Sequence, residues 1–132
     1  MEEVLEFLKN CRAFFVATIE EGKPKVRPFS FVMLHDQKLY FTTGNQKPFF
    51  EQIQKNPEIE ICGLNQKMEW IRLSGRVIPD SRLEIKQKAF EESPFLKNNY
   101  KSVDSPVMEC FYLTEAKADF CKIDGSSRTV IL

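Results

Sequence analysis

The sequence predicts a mainly β domain, with six or seven antiparallel strands forming a closed or split barrel and three helices at its periphery. Three observations carry this expectation. Short, β-leaning apolar runs are joined by short polar turns. The helical stretches do not alternate regularly with the strands, as a parallel sheet would require. Finally, Lys25-Val26-Arg27-Pro28-Phe29-Ser30-Phe31 places an arginine and a proline inside a strand-like run. Proline has no N–H for a ladder, so it belongs at a sheet edge or bulge. A chain of 132 residues reads as one domain, residues 1–132, able to bury a core without disulfides or metals.

The elements follow in order. Glu2 to Asn10 is an amphipathic helix with Val4, Leu5 and Leu8 on one face. Ala13 to Ile19, Val26 to Leu34 and Leu39 to Thr43 read as a three-stranded meander, its first turn at Glu20-Glu21-Gly22-Lys23-Pro24. Side-chain parity then puts Arg27 on the same face as Phe29, Phe31 and Met33. A second helix spans Gln46 to Lys55, with Phe49, Phe50 and Ile53 buried and Asn56-Pro57 as its stop. Glu58 to Leu64 and Glu69 to Ile78 are strands, and Ser81-Arg82-Leu83-Glu84 fits a capping box opening a helix to Glu91. Ser93 to Pro106 is irregular, with Leu96 and Tyr100 as anchors. Val107 to Leu113 and Ala118 to Ile123 are the last strands, and Asp124 to Leu132 is a tail.

Composition excludes several function classes. Acidic and basic residues balance at nineteen each, so no net field recruits nucleic acid or an anionic membrane. No apolar run approaches the roughly 20 residues of a membrane span, and the acidic start at Glu2 and Glu3 is not that of a secretory signal. Cys11, Cys62, Cys110 and Cys121 have no metal-ligand spacing, and His35 is the single histidine, so no metal site is expected. Free thiols in a reducing cytoplasm are the expected state. His35 falls in a turn, which argues against a nucleophile–histidine pair, and no catalytic residue is assigned.

Two stretches carry the candidate chemistry. Arg27, on an apolar strand face, must find an anion or a carboxylate such as Glu60 or Glu69. Leu39-Tyr40-Phe41-Thr42-Thr43-Gly44-Asn45-Gln46-Lys47 ends a strand in hydroxyls, a glycine turn, an amide and a lysine just before a helix. Lys47 offers an ammonium, Thr42 and Thr43 hydroxyls, Arg27 a planar fork and Asn45 a helix cap. These groups suit a phosphorylated aromatic ligand. Trp70 is a core residue or a ligand platform.

The ordered set Phe15-Val16-Ala17-Thr18, Gly22-Lys23-Pro24, Val26-Arg27-Pro28-Phe29, Leu39 to Lys47, Asn56-Pro57 and Trp70-Ile71-Arg72-Leu73-Ser74-Gly75 resembles the pyridoxamine 5′-phosphate oxidase-like, FMN-binding split-barrel family. It looks most like the short bacterial branch that includes nitroimidazole-reductase-type proteins. The resemblance implies an FMN-binding split barrel and a homodimer with FMN at the subunit interface. It implies Arg27 and Lys47 as phosphate ligands, Thr42 and Thr43 as hydroxyl contacts, and the backbone of Arg27, Pro28 and Phe29 beside the isoalloxazine. Trp70 stands where the oxidases carry a polar ring contact. The oxidases also carry adjacent basic residues where this chain has Gln46-Lys47, and a basic C-terminal segment without counterpart at Asp124 to Leu132. The expectation is therefore an FMN-dependent oxidoreductase or electron-transfer protein acting on a nitroaromatic, a quinone or a redox partner, and not on pyridoxamine phosphate. A flavin- or haem-binding protein without turnover is the alternative.

Overall fold

The computed structural model describes all of residues 1–132 and contains eight strands and four helices. In chain order these are α1 (Glu2–Lys9), β1 (Phe14–Glu20), β2 (Lys23–Phe29), β3 (Met33–His35), β4 (Lys38–Gly44), α2 (Pro48–Lys55), β5 (Glu58–Leu64), β6 (Trp70–Pro79), α3 (Leu83–Glu92), α4 (Leu96–Tyr100), β7 (Met108–Cys121) and β8 (Ser127–Ile131). All strands belong to one antiparallel sheet, ordered β2-β1-β5-β6-β7-β4-β3. The two ends of that path, β2 and β3, are consecutive in the chain and separated only by Ser30, Phe31 and Val32. Four Cα–Cα steps span at most about 14 Å, so the sheet must curl until its ends meet. The result is a barrel split between β2 and β3.

The expected meander is therefore corrected. The run from Val26 to Leu34 breaks after Phe29, and β2 pairs with β1 alone while β3 pairs with β4. Pro28 lies on an edge strand, as a residue without an N–H should. The break also ends the expected parity, so Arg27 shares a regular strand face with Phe29 but not with Phe31 or Met33. Both hairpins turn on two residues with positive φ, Glu21 and Gly22 in one and Asp36 and Gln37 in the other, which matches the twist of the flanking strands.

Other boundaries also shift. The expected strands Val107 to Leu113 and Ala118 to Ile123 merge into β7, whose left-handed Glu115 faces a register shift between Ser74 and Arg76 on β6. Along one edge β7 carries β4 on its first half and β8 on its second. The expected tail thus supplies β8, and the irregular segment supplies α4. Ser81 does not cap α3. Its Oγ donates to Glu109 Oε1 at 2.7 Å and accepts the Cys110 N–H at 2.9 Å.

Inward-facing residues alternate along β1, β5 and β6 and fill the barrel with α1 and α2. Phe14, Phe41 and Phe111 are fully buried there, and burying each contributes about 1.5–3 kcal/mol. β4 is buried on both faces. Phe41 stacks on Phe111 inside, while Tyr40 joins a smaller outer cluster with Met33, Ile85, Phe90, Leu96 and Met108 beneath α3 and α4.

A polar tether fixes that outer layer. Tyr40 Oη donates to Asp80 Oδ2 at 2.8 Å, and Arg82 closes on the same carboxylate at 2.7 and 2.9 Å. The Arg82 fork, with Tyr40, holds the Asp80 carboxyl below its ordinary pKa. A depressed carboxyl adds stability above its unfolded pKa, about 3.9, and loses it as pH falls through the lower folded value. Tyr40→Phe should lower stability by about 1–2 kcal/mol at pH 7, with the deficit shrinking at pH 3. Denaturant titration at both pH values checks this. A deficit of equal size at each would show that the Tyr40 hydroxyl acts independently of the Asp80 charge.

Candidate functional site

The split creates the site. Where β2 leaves the sheet, its backbone faces no neighbouring strand, and a groove of about 180 Å³ opens there. Arg27, Pro28, Phe29, Ser30 and Phe31 form one side and Thr42, Thr43 and Lys47 the other. Phe49 of α2 and Leu96, Asn99 and Tyr100 of α4 complete the lining. Six of the eight residues singled out in the sequence (Arg27, Pro28, Phe29, Thr42, Thr43 and Lys47) thus meet in one groove.

Arg27 pairs with neither Glu60 nor Glu69. Glu60 lies 3.9 Å from Arg72, and Glu69 accepts a hydrogen bond from Asn65. The Arg27 guanidinium instead donates from Nη1 to Val16 O at 3.0 Å and Thr18 Oγ1 at 2.8 Å, and from Nη2 to Gln52 Oε1 at 2.7 Å. It lies 5.0 Å from the centre of the Phe49 ring. Burial draws the Arg27 pKa below its ordinary value, against the opposing pull of Glu20.

Lys47 is the N-cap of α2, exposed and outside every ion pair of the structure. Pro48 follows at the first helical position, where its missing N–H costs nothing. A Cβ on Gly44 would lie 3.7 Å from Tyr100 Oη and 3.8 Å from Lys47 Cε, so both side chains converge on that bare backbone. The positive end of α2 adds to the field there.

Asn45 does not cap α2, and it does not line the groove. Its Nδ2 donates to Pro106 O at 2.7 Å and to Glu109 Oε2 at 2.8 Å, anchoring the loop that carries Lys47. Trp70, half-buried at the start of β6, is also outside the groove. Its cross-strand neighbours are Leu64 and Cys121. Sequence reasoning missed Ser30, Phe31, Phe49 and Asn99 as lining residues, and it took Leu96 and Tyr100 for anchors only. The polar run around Asn98-Asn99 carried no periodic signal for α4.

A larger hollow of about 350 Å³, lined by Glu3, Phe7, Phe120 and Arg128 among others, contains none of the expected site residues. Its arginine is already engaged, since Arg128 pairs with Glu3 and stacks on Phe120.

Residues 1–105 match the family model described as pyridoxamine 5′-phosphate oxidase. The chain belongs to the pyridoxamine 5′-phosphate oxidase family. Among solved structures, a NimC/NimA family protein from Clostridium acetobutylicum is 43% identical, with a TM-score of 0.95 over 100% of this chain and 92% of that one. General Stress Protein 26 from Bacillus anthracis is 18% identical, with a TM-score of 0.76 over 98% and 97% of the two chains. A pyridoxamine 5′-phosphate oxidase-related, FMN binding protein from Nostoc punctiforme is 15% identical, with a TM-score of 0.67 over 98% and 90%. The latter two likenesses show the fold. No protein of curated function matches the chain. No helix of this family member is long and apolar enough to cross a membrane.

Proposed function

We propose that this chain binds FMN in the groove at the barrel split and passes electrons to a small acceptor such as a nitroaromatic or a quinone. One observation carries the reading: Arg27, Lys47, Thr42 and Thr43 line the same groove as Phe29, Phe31, Phe49 and Tyr100, which suits a ligand with a phosphate at one end and a flat ring at the other. Arg27, Lys47, Thr42 and Thr43 would hold the phosphate. The backbone of Arg27, Pro28 and Phe29 would run beside the ring, with Phe31 and Tyr100 near it. Bound FMN would supply the redox chemistry, while these residues bind it, orient it and exclude water.

At about 180 Å³, the groove is smaller than the roughly 300–1,000 Å³ typical of cofactor sites. A second copy of the chain would complete it. The outer sheet face beside Pro28 carries exposed apolar residues, with Phe15 opposite Pro28, Val26 opposite Ala17 and Leu64 opposite Trp70, bordered by the Glu60–Arg72 ion pair. Phe15 is 48% exposed, Val26 67% and Leu64 49%. Exposed apolar residues rimmed by charged ones suit an interface. Trp70 lies on this face and would meet the cofactor from the partner side.

The purified protein should carry or take up FMN and show its visible spectrum. Its flavin, reduced anaerobically by dithionite or a partner reductase, should be reoxidised by nitroaromatics or quinones in stopped-flow absorbance. Pyridoxamine phosphate should yield negligible pyridoxal phosphate. Robust product formation would overturn the substrate assignment. A bound flavin that no acceptor reoxidises would favour a binding or sensing role.

A further inference from the structure

Arg27 is held from behind by neutral groups only. A guanidinium has five N–H donors. Nη1 directs its two at Val16 O and Thr18 Oγ1, with Lys25 O a longer contact at 3.4 Å. Nη2 gives one to Gln52 Oε1. Nε–H and the second Nη2–H have no protein acceptor, and the side chain lines the groove. No carboxylate lies within ion-pair distance of Arg27. The nearest acid in its network is Glu20, and Gln52 stands between them, its Nε2 donating to Glu20 Oε2 at 3.3 Å.

The amide of Gln52 is the only kind of side chain that meets all these demands. Its oxygen accepts from Arg27 and from the Thr18 hydroxyl, and its nitrogen turns toward Glu20. Gln52 and Thr18 are 4% and 1% exposed, so the cage is sealed from water. A carboxylate at either position would fix the fork equally well but would also neutralise it. The choice of neutral acceptors leaves the full cationic charge for a ligand.

We propose that Gln52, with Thr18, is a positioning residue that sets the selectivity of the groove for phosphate esters over their neutral analogues, by orienting the Arg27 fork without cancelling its charge. The inference rests on the FMN reading above and adds to it the element that determines specificity.

The test is Gln52→Glu, which keeps the size and the acceptor oxygen. Because Gln52 Nε2 faces Glu20 Oε2, the variant is made together with Glu20→Gln, so that the new carboxyl meets an amide there and, beside the Arg27 guanidinium, ionises below neutral pH. Calorimetric titration at pH 7.5 compares FMN with riboflavin, which lacks the phosphate. FMN affinity should fall by about tenfold or more while riboflavin affinity stays within about twofold. Thermal melting is followed in parallel, and Glu20→Gln alone serves as the reference, so that the change in affinity is read on folded protein. Gln52→Leu, which removes the acceptor and frees the fork, should also erode the FMN preference, and Gln52→Asn should restore part of it. If the parent protein prefers FMN and Gln52→Glu keeps that preference, the inference is overturned while the FMN reading stands. If the parent binds both ligands equally, the phosphate assignment itself fails and this inference with it.

Discussion

Arg27→Lys should weaken FMN binding by about 10- to 100-fold and riboflavin by much less, because the phosphate loses a planar two-donor partner. Hydrogen bonds to charged groups contribute about 1.5–3 kcal/mol each, so the loss of one has this size. The lysine ammonium cannot satisfy Val16 O, Thr18 Oγ1 and Gln52 Oε1 together while still reaching the groove, so register is lost as well as charge. Lys47→Ala gives the cleaner companion. Lys47 is exposed and forms no ion pair, so its removal leaves the fold untouched and the deficit reports on ligand alone. Both variants are read by calorimetric titration against FMN and riboflavin. Equal losses for the two ligands would reject the phosphate assignment.

The second large effect concerns assembly. Phe15→Glu combined with Val26→Glu should convert a dimer into a folded monomer with FMN affinity reduced by about a hundredfold or more, since a stable interface buries about 1,200–2,000 Å² and excludes unpaired charge from its centre. Both side chains point away from the barrel core, Phe15 at 48% and Val26 at 67% exposure, so the monomer should keep its secondary structure. Sedimentation at micromolar concentration and far-ultraviolet circular dichroism separate dissociation from unfolding. A parent protein that sediments as a monomer and still binds FMN tightly would sink the shared-site model. A double variant that remains dimeric would place the interface on another face.

Much of the candidate site was legible because its residues lie in two short, locally unusual stretches. A proline in an apolar strand signals an edge whatever the rest of the fold does, and the hydroxyl-glycine-lysine end of β4 announces a strand-to-helix turn rich in donors. The groove brings these stretches together. Asn45 was legible as a polar group at the right place, but not its partner. Glu109 is sixty-four residues away, and its distance from Asn45 depends on β4 pairing with β7. Ser81 was misread as a cap for the same reason. The local pattern fits a capping box, yet the same Glu109 and the Cys110 N–H compete for the hydroxyl.

What the sequence by itself determined is short-range. Periodicity set the inward faces of β1, β5 and β6, Asn56-Pro57 ended α2, and Pro28 kept β2 at an edge. Strand order was left to the tertiary structure, because ladder hydrogen bonds are alike from strand to strand and only packing around a shared core chooses among pairings. That choice parted β2 from β3, opened the groove between them and brought α4 over it. It also decided the fate of Arg27. Desolvation required some partner for its charge, but whether that partner was a carboxylate or the neutral cage of Thr18 and Gln52 depended on α2 packing against β1.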